Sequence, residues 1–242
     1  MPKILVLAQS GFGKSTSIGK TENPELGINI QGLNPENTYI LSMTSKPLPF
    51  KGSSAMFPVT TLDKMKDGKR IICRNAMEVE ACLTNLVNSP FKNIVVDDFN
   101  YIMQDWYMEN ALSKGWDAPK QIGFYMGKIF SCFEQLDEAG KNVFVLAHGE
   151  AVPNPDGRTY LKLKTTGKMV DEYVTPEGKF DITLLGVSKY DSTQKKVIKE
   201  YLTNENEYYS SAKSAPGMFD TLLIPNDLGI VEQKINSYYN EK

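Results

Sequence analysis

The residues that could do chemistry begin near the amino end, in "AQSGFGKST", residues 8–16. Gly11 and Gly13 stand just ahead of Lys14, Ser15 and Thr16. Glycine reaches backbone angles closed to other residues and lets the main chain approach an oxyanion that a Cβ would hold off. Successive N–H groups in such a turn, next to a helix start, form an anion cradle. Ser10, Gly11, Phe12, Gly13, Lys14, Ser15 and Thr16 would then surround a triphosphate. Lys14 would bridge the β- and γ-phosphates, Ser15 would ligate Mg²⁺ through its hydroxyl, and Thr16 could touch the α-phosphate. The spacing is that of G-x-x-x-x-G-K-[ST], with Ala8 at the first glycine, where a strand end tolerates a small residue.

A second stretch supplies carboxylates. "NIVVDD", residues 93–98, reads as a short buried strand ending in Asp97 and Asp98. Asp97 would hold a water of the Mg²⁺ shell. Asp98 could polarise an attacking water or merely support Asp97. A third stretch, "NVFVLAHG", residues 142–149, places the chain's single histidine, His148, at a strand end. If that strand returns beside the first, His148 lies near the γ-phosphate and can sense it. Glu150 is a weaker candidate base.

These groups need elements to position them. Lys3–Ala8 is a short apolar run of the kind that forms a buried parallel strand, and a helix is expected to start within 14–17. Residues 21–37 read as a loop with a short extended piece, and 38–43 as a second strand. The prolines in "PLPFKGSSAMFPV" indicate irregular surface chain. Asn75 with Glu78 looks like a capped helix start. Ile122, Met126, Ile129, Phe130, Phe133 and Leu136 make one helical face that Gly140 ends. Beyond residue 150 the pattern turns to strands: "TYLKLK", "KMVDEYV", "KFDITLLGV" and "KVIKEYLT". A last helix is expected near 227–239. The expected fold is α/β: a mainly parallel, doubly wound sheet extended by C-terminal antiparallel strands. It makes one domain, with 1–150 as nucleotide-binding core, 151–205 as β-rich extension and 206–242 as C-terminal loop and helix.

Composition narrows the class. The 242 residues carry a net charge of −2, so no global field draws the chain to nucleic acid or anionic lipid. Three scattered cysteines and one histidine exclude a Cys/His metal framework and suggest a reducing compartment. No segment is apolar for long enough to span a membrane. The expected location is cytoplasmic.

The loop, the "VVDD" strand and a polar residue ending the next strand resemble the RecA-like branch of P-loop ATPases. The similarity looks closest to phage-encoded single-strand annealing ATPases, the Sak group. "SKPLPF", "LAHGE", "TTGKMVDEYVTPEGKFDITLL" and "SAKSAPGMF" carry it further along the chain. The resemblance implies an ATP-binding, ATP-hydrolysing protein acting on single-stranded DNA in phage recombination or replication, in the host cytoplasm. It also implies a homo-oligomeric ring or filament with ATP between subunits, and a single-strand DNA-binding protein as a possible partner. RecA ends the strand after the P-loop helix in a catalytic glutamate. Here that region reads "LSMTSKP" and offers none, so either hydrolysis is slow or Asp98 takes the base role.

Phosphoryl transfer usually uses a further cation. Only Arg70, Arg74 and Arg158 are arginines. Basic residues outnumber acidic ones nine to six in 158–200, whereas 93–140 has three lysines against eight acids. Lys162, Lys164 or Lys168 would reach a neighbour's nucleotide in a RecA-like assembly, or form a solvated strand face. For DNA, two loops are placed at the right edge: 99–121, with Tyr101, Trp106, Tyr107 and Trp116, and 149–160, with Arg158 and Tyr160. The aromatics of the first have core spacing. A small-molecule kinase lacks its arginine-rich lid here. A nucleotide-gated interaction protein with little turnover remains open. No guanine-reading Asn-Lys-x-Asp follows the fourth strand, which favours ATP.

Overall fold

In the computed structural model, residues 1–114, 118–166 and 176–240 are described. β1 (Lys3–Ala8), β4 (Thr38–Ser42), β7 (Asn93–Asp97), β8 (Asn142–Pro153) and β10 (Ile182–Asp191) form the centre of a ten-stranded sheet. Seven strands run parallel in the order β10, β1, β8, β7, β4, β6 (Arg70–Ile72), β5 (Val59–Thr60). β11 (Lys196–Leu202) and β12 (Leu223–Pro225) add antiparallel strands beyond β10. β9 (Thr159–Leu163) folds back on the far half of β8. This is the α/β architecture expected, with β8 between the loop strand β1 and the carboxylate strand β7.

Each central strand is buried on both faces, which is why these runs read as continuously apolar. The period-two alternation sorts them. Leu5, Leu7, Ile94, Val96, Val143 and Val145 face one core, while Ile4, Val6, Val95, Phe144 and Leu146 face the other. The first core is covered by α2 (Ala76–Val87), α3 (Asn100–Lys114) and α4 (Ala118–Glu138). α2 starts as expected, with Asn75 Oδ1 accepting from Glu78 N at 2.9 Å. The expected apolar face of α4 is buried throughout, from Ile122 to Leu136. Gly140, at φ 75°, follows its end. The second core is covered by α5 (Leu228–Asn240) and by Leu48, Phe50 and Phe57.

Several expectations need correction. The helix expected after the loop is a single 3₁₀ turn, Ser15–Ile18. Residues 19–27 hold one large apolar side chain, Leu26, so a continued helix would have no face to bury. The chain instead leaves at Gly19, where an added Cβ would lie 2.3 Å from the Phe50 ring. It then forms a hairpin, β2 (Thr21–Asn23) with β3 (Ile28–Ile30). The segment expected to be irregular surface contains α1 (Ser53–Met56) and buries Leu48, Phe50 and Phe57. The sequence pattern does not reveal β5, β6 and β12; each has only two or three residues, too few to show a period. β8 runs unbroken through residue 150. The strand expected at "KMVDEYV" lies outside the described residues. Among the described residues, no helix is long and apolar enough to cross a membrane.

Candidate functional site

The C-terminal ends of β1, β8, β7 and β4 open into a cleft of about 310 Å³. Ser10, Gly11, Gly13, Lys14, Ser15, Thr16, Asp97, Asp98 and His148 all line it. In sequence these residues lie in three separate stretches, and the parallel sheet brings them to one edge. Phe12 alone of the expected cradle residues turns away. It is 5% exposed, packs against Tyr201 at 5.8 Å, and its N–H bonds Gln9 O. It anchors the loop to the core rather than lining the cleft.

Gly11 and Gly13 have φ of 77° and 105°, the left-handed range that glycine tolerates. No protein acceptor takes the N–H groups of Gly13, Lys14, Ser15 or Thr16 among the described residues. These amides need an acceptor from solvent or a ligand. The short 3₁₀ turn contributes little dipole, so loop amides and Lys14 carry the attraction for an anion. Lys14 is 5% exposed, and its ammonium donates to Ala8 O at 3.1 Å, Gln9 O at 3.2 Å and His148 Nδ1 at 3.4 Å. Burial lowers its pKa, while Asp98 and Asp97 oppose that.

Ser15 Oγ donates to Asp97 Oδ1 at 2.9 Å. Asp97 is 5% exposed, and its pKa is raised to about 6. Burial is the main cause and the Asp98 charge adds to it, against Ser15, Lys14 and Arg70. Asp98 lies just past the strand at φ 61°, uncommon for a residue with a Cβ and a form of strain that gathers at functional sites. That turn aims its carboxylate towards His148, with Oδ1 3.8 Å from Nε2. The two acids therefore occupy different settings, one buried on Ser15 and one at the cleft wall.

His148 stands beside Ala8 in the β1–β8 register, so the strand pairing itself sets the imidazole next to the loop. With Lys14 as donor, Nδ1 is the acceptor and the proton is assigned to Nε2, on the side of Asp98; a ring hydrogen bond to Ala8 O would favour the opposite tautomer. Burial first, then Lys14, lower the His148 pKa, with Lys164 adding to the effect. Asn100 is fully buried. It accepts from His148 N and donates to His148 O and Lys164 O, tying the histidine to the chain just past β9.

Other residues line the cleft that the sequence reading did not assign to it; Tyr101, expected in a DNA-facing loop, is one of them. Arg70, 6% exposed on β6, closes one side with Thr44, Lys46, Pro47, Leu48 and Pro49. Tyr101 meets the His148 ring edge-on at 6.2 Å. From behind, Asn226 Nδ2 donates to Gly13 O at 3.1 Å, Lys199 Nζ to Gly11 O at 2.8 Å, and Tyr201 OH pairs with Ser17 Oγ at 2.8 Å. "SKPLPF" is the one sequence signal for this wall. Nothing local marks Arg70 or Asn226.

The remaining candidates lie elsewhere. Glu150 is exposed, does not line the cleft, and sits 3.9 Å from Lys162. Arg158 is held by Asp156 and Glu205, each at 2.7 Å. The stretch 149–160 is largely β-hairpin, and 100–114 is helix. Trp106 on that helix is core at 7% exposure, and Tyr107 is exposed. Lys168 and Trp116 lie outside the described residues.

The loop, the carboxylate strand and the strand between them belong to a mainly parallel α/β sheet extended by antiparallel strands. No protein-family model matches the chain, and no curated protein does. Among solved structures, the chain is similar to a KaiC-like protein from the hyperthermophilic archaeon Pyrococcus horikoshii. Identity is 15% over 83% of this chain and 77% of that one, with a TM-score of 0.45.

Proposed function

We propose that the cleft binds ATP with Mg²⁺ and hydrolyses it. The observation that carries this reading is the convergence of four unpaired loop amides, a buried lysine and the Ser15–Asp97 pair on one cleft. Mg²⁺ favours oxygen ligands, one or two carboxylates and phosphate oxygens. Ser15 and Asp97 fit that donor set, Ser15 directly and Asp97 through a bound water. When bound, the ion offsets charge on the phosphate oxygens and orients them.

The chain's own residues do the rest. Loop amides and Lys14 fix the phosphates, and Lys14 exchanges its three present acceptors for phosphate oxygens. Asp98 accepts a proton from a water as that water's oxygen bonds the γ-phosphorus. The bond from the γ-phosphorus to its bridging oxygen breaks, and ADP leaves with that oxygen. His148 Nε2–H lies between Asp98 and the loop, where it can report whether the terminal phosphate is present.

Action on single-stranded DNA, in an assembly where Lys162, Lys164 or Lys168 reaches a neighbour, rests on the family resemblance. Phosphate release measured with and without single-stranded DNA, and then with nucleoside acceptors, separates the readings. DNA stimulation supports the RecA-like role. Acceptor phosphorylation supports a small-molecule kinase, and binding without turnover supports a nucleotide-gated interaction protein. Lys14→Ala is expected to abolish nucleotide binding; retained binding would overturn the site.

A further inference from the structure

Lys46 belongs to the segment that leaves the C-terminal end of β4 and lines the cleft. The side chain is exposed, and among the described residues no carboxylate or carbonyl takes its ammonium. Lys14 and Lys46 leave the same sheet edge, with the ends of β8 and β7 between them. They therefore flank His148 and Asp97.

The segment carrying Lys46 is tied down by an unusual device. Arg70 Nε donates to Ser42 Oγ at 2.8 Å, and its Nη2 donates to Lys46 O at 2.7 Å and Thr44 O at 3.4 Å. Ser42 is in turn the register partner of Asp97. Withdrawing a guanidinium from water is costly unless its donors are used. Here they fix both carbonyls that bracket the turn, and Pro47 and Pro49 stiffen the chain beyond it. A buried cation spent on the main chain of an exposed lysine makes sense if that lysine must be held in place.

The geometry points to Lys46 as a further cation of the cleft beside Lys14 and Arg70, supplied by the same chain and touching the terminal phosphate, with Arg70 as the residue that positions it. This rests on the ATP reading above. It differs from a lysine lent by a neighbouring subunit, because the rate per chain would not depend on assembly.

The test is steady-state ATP hydrolysis by the full chain, alongside nucleotide binding. Lys46 is exposed, so its variants keep the fold. Lys46→Ala is expected to lower kcat by about 100-fold, the scale seen when one transition-state donor is removed, with KM changed far less. Lys46→Arg should restore most of the rate. Arg70→Gln should also lower kcat, and Lys46→Ala/Arg70→Gln should be no slower than Lys46→Ala alone, because a positioning residue has nothing left to position. Wild-type rate per chain should stay constant on dilution. If Lys46→Ala turns over at the wild-type rate while Lys14→Ala is inactive, the inference falls and the ATP reading stands. Additive losses in the double variant overturn the role of Arg70. A wild-type chain that neither binds nor hydrolyses ATP overturns both.

Discussion

Ser15 Oγ reaches Asp97 Oδ1 at 2.9 Å across 82 residues of sequence. β8 stands between their strands, so the contact depends on the loop after β1 folding back over the end of β8. It ties the loop proposed to cradle phosphate to the carboxylate proposed for the metal. Ser15→Ala is expected to leave Mg²⁺-free nucleotide binding unchanged and to weaken the Mg²⁺-dependent part by about 10-fold or more. Titration of a fluorescent nucleotide with and without Mg²⁺ measures both. Equal weakening in the two conditions would separate Ser15 from the metal.

Asp98 is assigned the base because it lies at the cleft wall, with its carboxylate 3.8 Å from His148 Nε2. Asp98→Asn should bind ATP as the wild type does and lose roughly 10²–10⁴ in turnover, the usual contribution of a general base. Single-turnover phosphate release reads this directly. Hydrolysis at the wild-type rate would remove the assignment.

Asp97 titrates at about 6 in the fold, chiefly through burial, against about 3.9 when unfolded. Between those values the folded chain holds a proton that the unfolded chain has released. The contribution to stability is full below about pH 4 and is lost as pH rises through about 6. Asp97→Asn should therefore be more stable than the wild type at pH 7.5 without metal, by on the order of 2 kcal/mol, with most of the gain gone at pH 4. Urea unfolding in a chelator at the two pH values tests it. An equal difference at both would show that Asp97 does not titrate this way.

Asp227 follows Asn226, whose amide braces Gly13. Its carboxylate accepts from Gln31 N at 2.6 Å, Gly32 N at 3.0 Å and Gly229 N at 2.8 Å, at 1% exposure. Asp227→Ala would strand three amides and is expected to cost about 3 kcal/mol or more. Asp227→Asn keeps one acceptor oxygen and should cost less. Denaturant midpoints for the two variants check the order.

Much of the site is legible in the sequence because its signals are local. Gly11, Gly13, Lys14 and Ser15 sit within five positions, and "NIVVDD" and "FVLAH" each announce a buried strand with polar residues at its end. The wall opposite is legible only through "SKPLPF". Ser42, Arg70 and the carbonyls of Thr44 and Lys46 are unremarkable in sequence and meet only because β6 lies beside β4. The 3₁₀ turn after the loop is hidden because the lysine and hydroxyls suit a helix start. What fails is the burial of the next turns.

By itself, the sequence determined the longer buried strands of the sheet centre, where the backbone must turn under glycine, and which side chains could meet phosphate and metal. Those properties arise from period, residue shape and charge within a few positions. Only the tertiary structure decided that His148 pairs in register with Ala8, that Asn226 braces Gly13, and that β10 joins the parallel core beside β1. Strand order and register are set by covering two apolar faces at once. That condition links residues too far apart in the chain for any local pattern to record.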